Sequence, residues 1–260
     1  MEKAIKKIED MSLNAWPSHK MELYDGWILR FSYFYTHRTN SVEQFGTSTL
    51  PWREKIPYCE QVYKRLGTPA IFKISPLVSQ DFDYMLENRG YSIQHVTNVM
   101  TVDLDQAVLD APVTDVLFTN EIPDFWIHSL FDLKKTTNPI HRSVVPSMYR
   151  AILKETVCAS ITKNGQIIAT GLGILDRDYI GIYAIHVRED YRRRGVLHLL
   201  RRIGFREILP KNLVLNRHMI KLSFFLNSFI TSHMASKVQP PSCESFFSRC
   251  ACDRDGDACA

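Results

Sequence analysis

Between Tyr179 and Val196 an apolar strand, Ile180-Gly181-Ile182-Tyr183-Ala184-Ile185-His186-Val187, runs through the acidic turn Glu189-Asp190 into Tyr191-Arg192-Arg193-Arg194-Gly195-Val196. A strand that opens into a basic, Gly-containing turn at the head of a helix is suited to hold a phosphate. The first N–H groups of the helix have no intrahelical partner, the dipole favours an anion there, and the Gly allows close backbone approach. Three consecutive arginines alone read as a solvated helix start. The strand before them and the Gly after them turn that reading toward a pyrophosphate-bearing cofactor, and commit the chain to an α/β fold.

The rest of the chain supplies the elements such a fold needs. Ile5, Ile8 and Met11 recur at helical spacing ahead of Trp16-Pro17, which predicts a helix stopped by proline. Gly26 to Phe31 and Tyr33 to Val42 read as two strands rich in aromatic and β-branched residues. Ile56, Cys59, Val62, Tyr63 and Leu66 form one helical face closed by Gly67, and Ala70 to Ile74 is a short buried strand. Ser79 is placed to cap a helix that Gly90 ends, and Tyr91 to Leu104 is a long strand. The order is β-β-α-β-α-β, and residues 1–104 are taken as one domain.

Residues 105–114, with Pro112 and no periodic pattern, read as a linker to a second domain over 115–208. There, a strand at Val116 to Thr119 precedes helices at Pro123 to Lys134 and Val145 to Glu155. Three strands follow, Cys158 to Thr162, Gln166 to Leu175 and Tyr179 to Val187, the first two joined by the hairpin signal Asn164-Gly165.

Composition excludes several classes. The 260 residues are 45% hydrophobic, enough for one large or two small domains with real cores. The net charge of +4 arises wholly after residue 195, where nine Lys or Arg face five acidic residues, so the bulk charge does not argue for nucleic acid. Met1 to Ile8 runs straight into an amphipathic helix rather than a signal peptide, and the apolar run Leu222 to Ile230 is too short to span a bilayer of ~20 residues; a cytoplasmic address is expected. Cys243, Cys250, Cys252 and Cys259 lack the C-x-x-C knuckle of zinc modules, so no metal is expected.

The Arg192 to Gly195 loop resembles motif A of the GNAT superfamily of acyl-CoA N-acyltransferases, Q/R-x-x-G-x-G/A, with Arg192 and Gly195 matching and Leu197 standing where a small residue belongs. In the first half, Asp25-Gly26-Trp27-Ile28-Leu29-Arg30-Phe31, Thr36 to Val42, and Asn88-Arg89-Gly90 before the long strand resemble the N-terminal domain of bacterial two-domain GNAT proteins. The two resemblances cover residues 1 to about 196. They imply two tandem GNAT-like domains, each a mixed central sheet flanked by helices, the first degenerate and the second incomplete.

The resemblance implies acetyl-CoA as acyl donor and an amine, on a small molecule or a peptide, as acceptor. It places the pantetheine arm along the main chain of Ile185, His186 and Val187, and the pyrophosphate on Arg192, Arg193, Arg194, Gly195 and Val196. The proton donor to the departing thiolate is commonly a tyrosine on the family's fourth helix, a segment not legible here, so no catalytic residue is assigned. His186 reads as an ordinary sheet histidine rather than a base, Glu189 and Asp190 as caps, Tyr183 as core, and Arg38 and Asn40 as residues that fix a domain interface. A non-catalytic acyl-CoA-binding or partner-binding protein of the same ancestry is the rival reading.

After Gly195 the family pattern stops. Leu197 to Ala260 shows no sustained period beyond Ile208, then Gln239-Pro240-Pro241-Ser242, and residues 209–260 read as an atypical, poorly ordered tail lacking the family's fifth strand. Back-translating Pro210 to Leu222 and reading from each third base permits Lys-Lys-Phe-Gly-Ala-Lys-Gln-Ala-Tyr-Asp-Gln-Val, similar to the helix end and fifth strand of these acetyltransferases. A single-base shift just after the Gly195 codon would account for this. A naturally divergent tail is the alternative.

Overall fold

A computed structural model describes residues 2–103, 116–192, 221–226 and 233–238. In chain order the elements are α1 (Glu2–Ala15), β1 (Lys20–Tyr24), β2 (Trp27–Phe31), β3 (Val42–Gln44), α2 (Trp52–Arg65), β4 (Ile71–Ile74), α3 (Gln80–Asn88) and β5 (Ser92–Asp103). They continue with β6 (Val116–Thr119), α4 (Asp124–Leu133), α5 (Pro139–Arg150), β7 (Glu155–Lys163), β8 (Gln166–Asp176), β9 (Tyr179–Val187), β10 (Lys221–Leu226) and β11 (His233–Val238). The chain forms two compact units, each a mixed sheet with helices.

In the unit built on residues 18–98 and β11, the strand order is β1-β2-β3-β4-β11-β5. Trp27, Leu29, Ile56, Cys59, Tyr63, Phe72, Phe82 and Leu86 form its core, because β2 and β4 turn one face toward the apolar stripes of α2 and α3. Gly67 and Gly90 take the left-handed φ that a helix C-terminus favours, and the Ser79 side chain accepts from Asp81 N–H, as the sequence predicts.

The segment after β2 departs from the predicted strand. Tyr33 and Phe34 adopt φ of +53° and +57°, and a 3₁₀ turn spans His37–Thr39, leaving only Val42–Gln44 extended. Asn40 is the cause. Its fully buried side chain accepts from the N–H of Ser32 (2.5 Å) and Phe34 (3.1 Å) and donates to Thr39 Oγ1 (3.1 Å). An amide that replaces ladder bonds in this way builds a loop in a segment whose composition favours a strand. Asn40 therefore holds this loop.

Asp25 closes the β1–β2 turn. Its carboxylate accepts from Thr49 N–H (2.8 Å), Leu50 N–H (2.9 Å) and Thr49 Oγ1 (2.7 Å), and pairs with the buried Lys55 ammonium (3.1 Å), which lies 4.1 Å from the centre of the Trp27 ring. These bonds, led by the backbone N–H of Leu50, hold the Asp25 carboxyl well below the usual carboxylate range. A depressed pKa contributes stability above the unfolded value and loses it as pH falls through the folded one. Asp25→Asn should accordingly lower the urea midpoint at pH 7 and flatten its decline below about pH 4. Parallel midpoint curves for parent and variant would refute this.

The second unit holds residues 2–17, the part of 99–192 described above, and β10; its strand order is β6-β7-β8-β9-β10. β6 to β9 pair antiparallel, with Asn164 and Gly165 at φ of +51° and +75° closing the predicted hairpin. Helix α5 begins at Pro139, earlier than the expected Val145, because the Asn138 side chain accepts from Ile140 N–H (2.9 Å) and caps it.

Helix α1 also packs in this unit, on β9, and so departs from the reading that assigns residues 1–104 to one domain. Asn14 Nδ2 donates to Asp176 (2.7 Å), Lys7 pairs with Asp178, and Trp16 meets Tyr149 and Tyr183 at ring separations of 5.9 and 6.0 Å. Helical spacing shows that α1 has an apolar face. It does not show which sheet that face covers.

The segment after Ile208 is not without regular structure either: β10 and β11 both come from it. The apolar run that opens at Leu222 supplies β10, which pairs parallel to β9. β11 lies antiparallel to both β4 and β5 in the first unit.

Candidate functional site

β9 and β10 run parallel, paired from Tyr179–Lys221 through Ile182–Phe224. Their pairing ends at Ile182, although β9 continues to Val187 and β10 to Leu226. Among the described residues the main chain of Tyr183 to Val187 therefore has no strand partner on the β10 side.

Next to the end of this pairing lies a β-bulge. Leu172 pairs with Tyr183 and Thr170 with His186, so Ala184 and Ile185 together oppose Gly171. Ala184 takes φ of +47°, the left-handed conformation that glycine ordinarily supplies at such a bulge. The Thr170 hydroxyl, fully buried, donates to the Ala184 carbonyl at 3.3 Å. An extra residue bends the strand and swings its following groups away from the neighbouring ladder.

Ile185 and Val187 pack on the apolar cluster of Ala159, Ile161, Ile168 and Ala169, which fixes the strand without using its exposed edge. His186 Nε2 is buried with no hydrogen-bond partner among the described residues. Burial, and then the charges of Lys134 and Arg192, press the His186 pKa down to about 3. The imidazole is neutral at pH 7 and, with so low a pKa, a poor proton acceptor, in keeping with its reading as a sheet residue.

At the end of β9 Arg192 Nε donates to the Val187 carbonyl (3.1 Å), while Arg192 N–H bonds to the Glu189 carbonyl (3.2 Å). This ties the first arginine of the basic turn to the end of β9. The acidic turn is organised from within. Asp190 takes Arg188 Nε (2.7 Å) and Nη2 (3.0 Å), Arg188 lies 4.7 Å from the centre of the Tyr191 ring, and Glu189 makes an exposed ion pair with Lys135 (3.5 Å). Arg193, Arg194, Gly195 and Val196 lie outside the described residues, as do the four terminal cysteines.

Tyr183 is core, as the sequence suggests, but for a specific reason. A Cβ on Gly181 would meet the Tyr183 ring at 2.5 Å, so the glycine makes room for the ring to lie back along its own strand. Among the described residues no group of three or more His, Cys, Asp or Glu side chains could hold a metal ion, and no helix is long and apolar enough to cross a membrane. Sequence reasoning missed Thr170 and the bulge. No residue type announces either, since alanine rarely takes a positive φ.

A mixed sheet whose one parallel pair, β9 and β10, stops bonding at Ile182 beside a bulge is in keeping with an acyltransferase fold of the GNAT class, which the family match shows. The profile of the family described as "Probable histone acetyltransferase Rv0428c C-terminal" matches residues 3–203, and the chain belongs to this family of GNAT N-acetyltransferases. It is 24% identical over 195 residues to the "Uncharacterized N-acetyltransferase YobR" of Bacillus subtilis (strain 168), covering 74% of this chain and 77% of that protein. The fold is similar to a GCN5-related N-acetyltransferase from Kribbella flavida (TM-score 0.64, 8% identity, 92% of this chain and 96% of that one). It is also similar to a tandem GNAT protein from the clavulanic acid biosynthesis pathway (TM-score 0.61, 8% identity, 90% and 88%).

Proposed function

We propose that the chain binds acetyl-CoA between β9 and β10 and transfers the acetyl group to an amine carried by a small molecule or a peptide, in the cytoplasm. The observation that carries this reading is the end of β9–β10 pairing at Ile182 beside the bulge at Ala184. Among the described residues, main-chain groups of Ile185, His186 and Val187 have no strand partner on the β10 side, where an extended pantetheine arm could take the place of a strand. The acceptor nitrogen attacks the thioester carbonyl and loses a proton, an N–H of β9 stabilises the oxyanion as it forms, and the C–S bond breaks to release a thiolate that takes up a proton. Arg192 to Val196 would hold the pyrophosphate, with Arg192 already fixed at the end of β9.

Calorimetry with acetyl-CoA tests the binding step. Gly195→Val should weaken the affinity at least tenfold, about 1.4 kcal/mol, because a β-branched side chain keeps the backbone from closing on the phosphates. Unchanged affinity would remove Gly195 from the site.

The non-catalytic reading also rests on an observation. The family match ends at residue 203, before the point where a fourth-helix tyrosine would fall. Release of free thiol from acetyl-CoA in the presence of amines separates turnover from binding alone.

A further inference from the structure

We infer that Thr170 is a positioning residue for acetyl transfer, its hydroxyl locking the β9 bulge in the conformation that opens the acyl-CoA cleft. The inference rests on the acetyl-CoA reading above. Its starting point is a local conflict. Ala184 carries a side chain in a left-handed conformation, φ +47°, at the residue where β9 departs from the register of β8. An L-residue is held there only when its surroundings over-determine it.

Thr170 supplies the determining contact. It lies on β8 directly opposite His186, the first residue back in register after the bulge, and it is fully buried. Its Oγ1 donates to the Ala184 carbonyl at 3.3 Å, a group that the extra residue has displaced from the ladder. A buried carbonyl left unpaired is costly, so the hydroxyl favours the bulged form over the regular one. The Ile185 and Val187 side chains on the apolar cluster hold the strand beyond the bulge, and Arg188 N–H to Ile168 O (2.8 Å) closes the ladder. Thr170 acts through Ala184 and touches neither cofactor nor substrate in this account.

The test uses the full-length chain and three substitutions. Thr170→Val, which keeps the shape and removes the donor, should weaken acetyl-CoA binding fivefold or more in calorimetry, with the cooperative thermal transition retained. Thr170→Ser should bind like the parent. Adding Ala184→Gly to Thr170→Val should recover most of the affinity, because glycine takes the positive φ unaided. A residue that only packed the core would lose stability with Val and regain nothing from glycine at 184. Backbone NMR gives a second readout that needs no ligand: the Ala184 carbon shifts should carry the positive-φ signature in the parent and lose it in Thr170→Val. If the signature persists in Thr170→Val, or if that variant binds acetyl-CoA within twofold of the parent, the inference is overturned. A parent that fails to bind acetyl-CoA while the Ala184 signature depends on Thr170 would overturn the cofactor reading and support the bulge lock.

Discussion

Restoring the alternative reading frame after Gly195 is expected to raise the rate of acetyl transfer by roughly 10² to 10⁴, the usual contribution of a positioned general acid. The chain as written should bind acetyl-CoA and turn it over slowly. Three observations motivate this. The motif departs from the family's at Leu197, and the family match runs on only to residue 203. The whole charge excess and four of the six cysteines lie beyond that point. The shifted frame permits a segment similar to these acetyltransferases at the expected distance.

The position of β10 sharpens the expectation. A strand from the written frame already lies parallel to β9, so the restored protein should gain little cofactor affinity and much rate. Thiol release and calorimetry on both versions measure the two quantities separately. Equal rates would refute the shifted frame.

Trp126→Ala should destabilise the second unit by about 3–5 kcal/mol, the range for removing a buried large aromatic. Trp126 is 1% exposed on α4, its Nε1 donates to the Ala159 carbonyl at 3.0 Å, and its ring meets Tyr149 edge-on at 5.9 Å. Truncation opens a cavity beneath β7 and also removes the hydrogen bond to the Ala159 carbonyl, in the apolar cluster that Ile185 and Val187 pack against. Trp126→Phe retains most of the ring and should cost less, about 1–3 kcal/mol, chiefly from the lost hydrogen bond. Urea unfolding followed by far-UV circular dichroism measures both. An alanine variant within 1 kcal/mol of the parent would mean that the sheet collapses onto the vacancy and that α4 is not its main support.

Local signals in the sequence were enough for much of the fold. Asn164-Gly165 specified its hairpin because both residues tolerate positive φ, Gly67 and Gly90 ended their helices for the same reason, and Ser79 capped α3 with its own hydroxyl. The strand-turn-helix signal at 179–196 was legible because its chemistry is local: unpaired N–H groups, positive charge and a glycine lie within one short segment. Together these gave the order of elements, the α/β class and the loop proposed to hold phosphate.

Tertiary structure alone decided what depends on pairing between distant residues. The destination of α1 was set by Trp16 against Tyr183 and Asn14 against Asp176, partners more than 150 residues away that no periodicity reveals. The loop at 33–41 was set by one buried amide on Asn40, which outweighed a strand-favouring composition by offering the backbone other bonds. The bulge in β9 is a one-residue mismatch of register against β8, where the Thr170 hydroxyl bonds the carbonyl of Ala184 at a positive φ. A register is a relation between two strands, so neither strand carries it in its own residues.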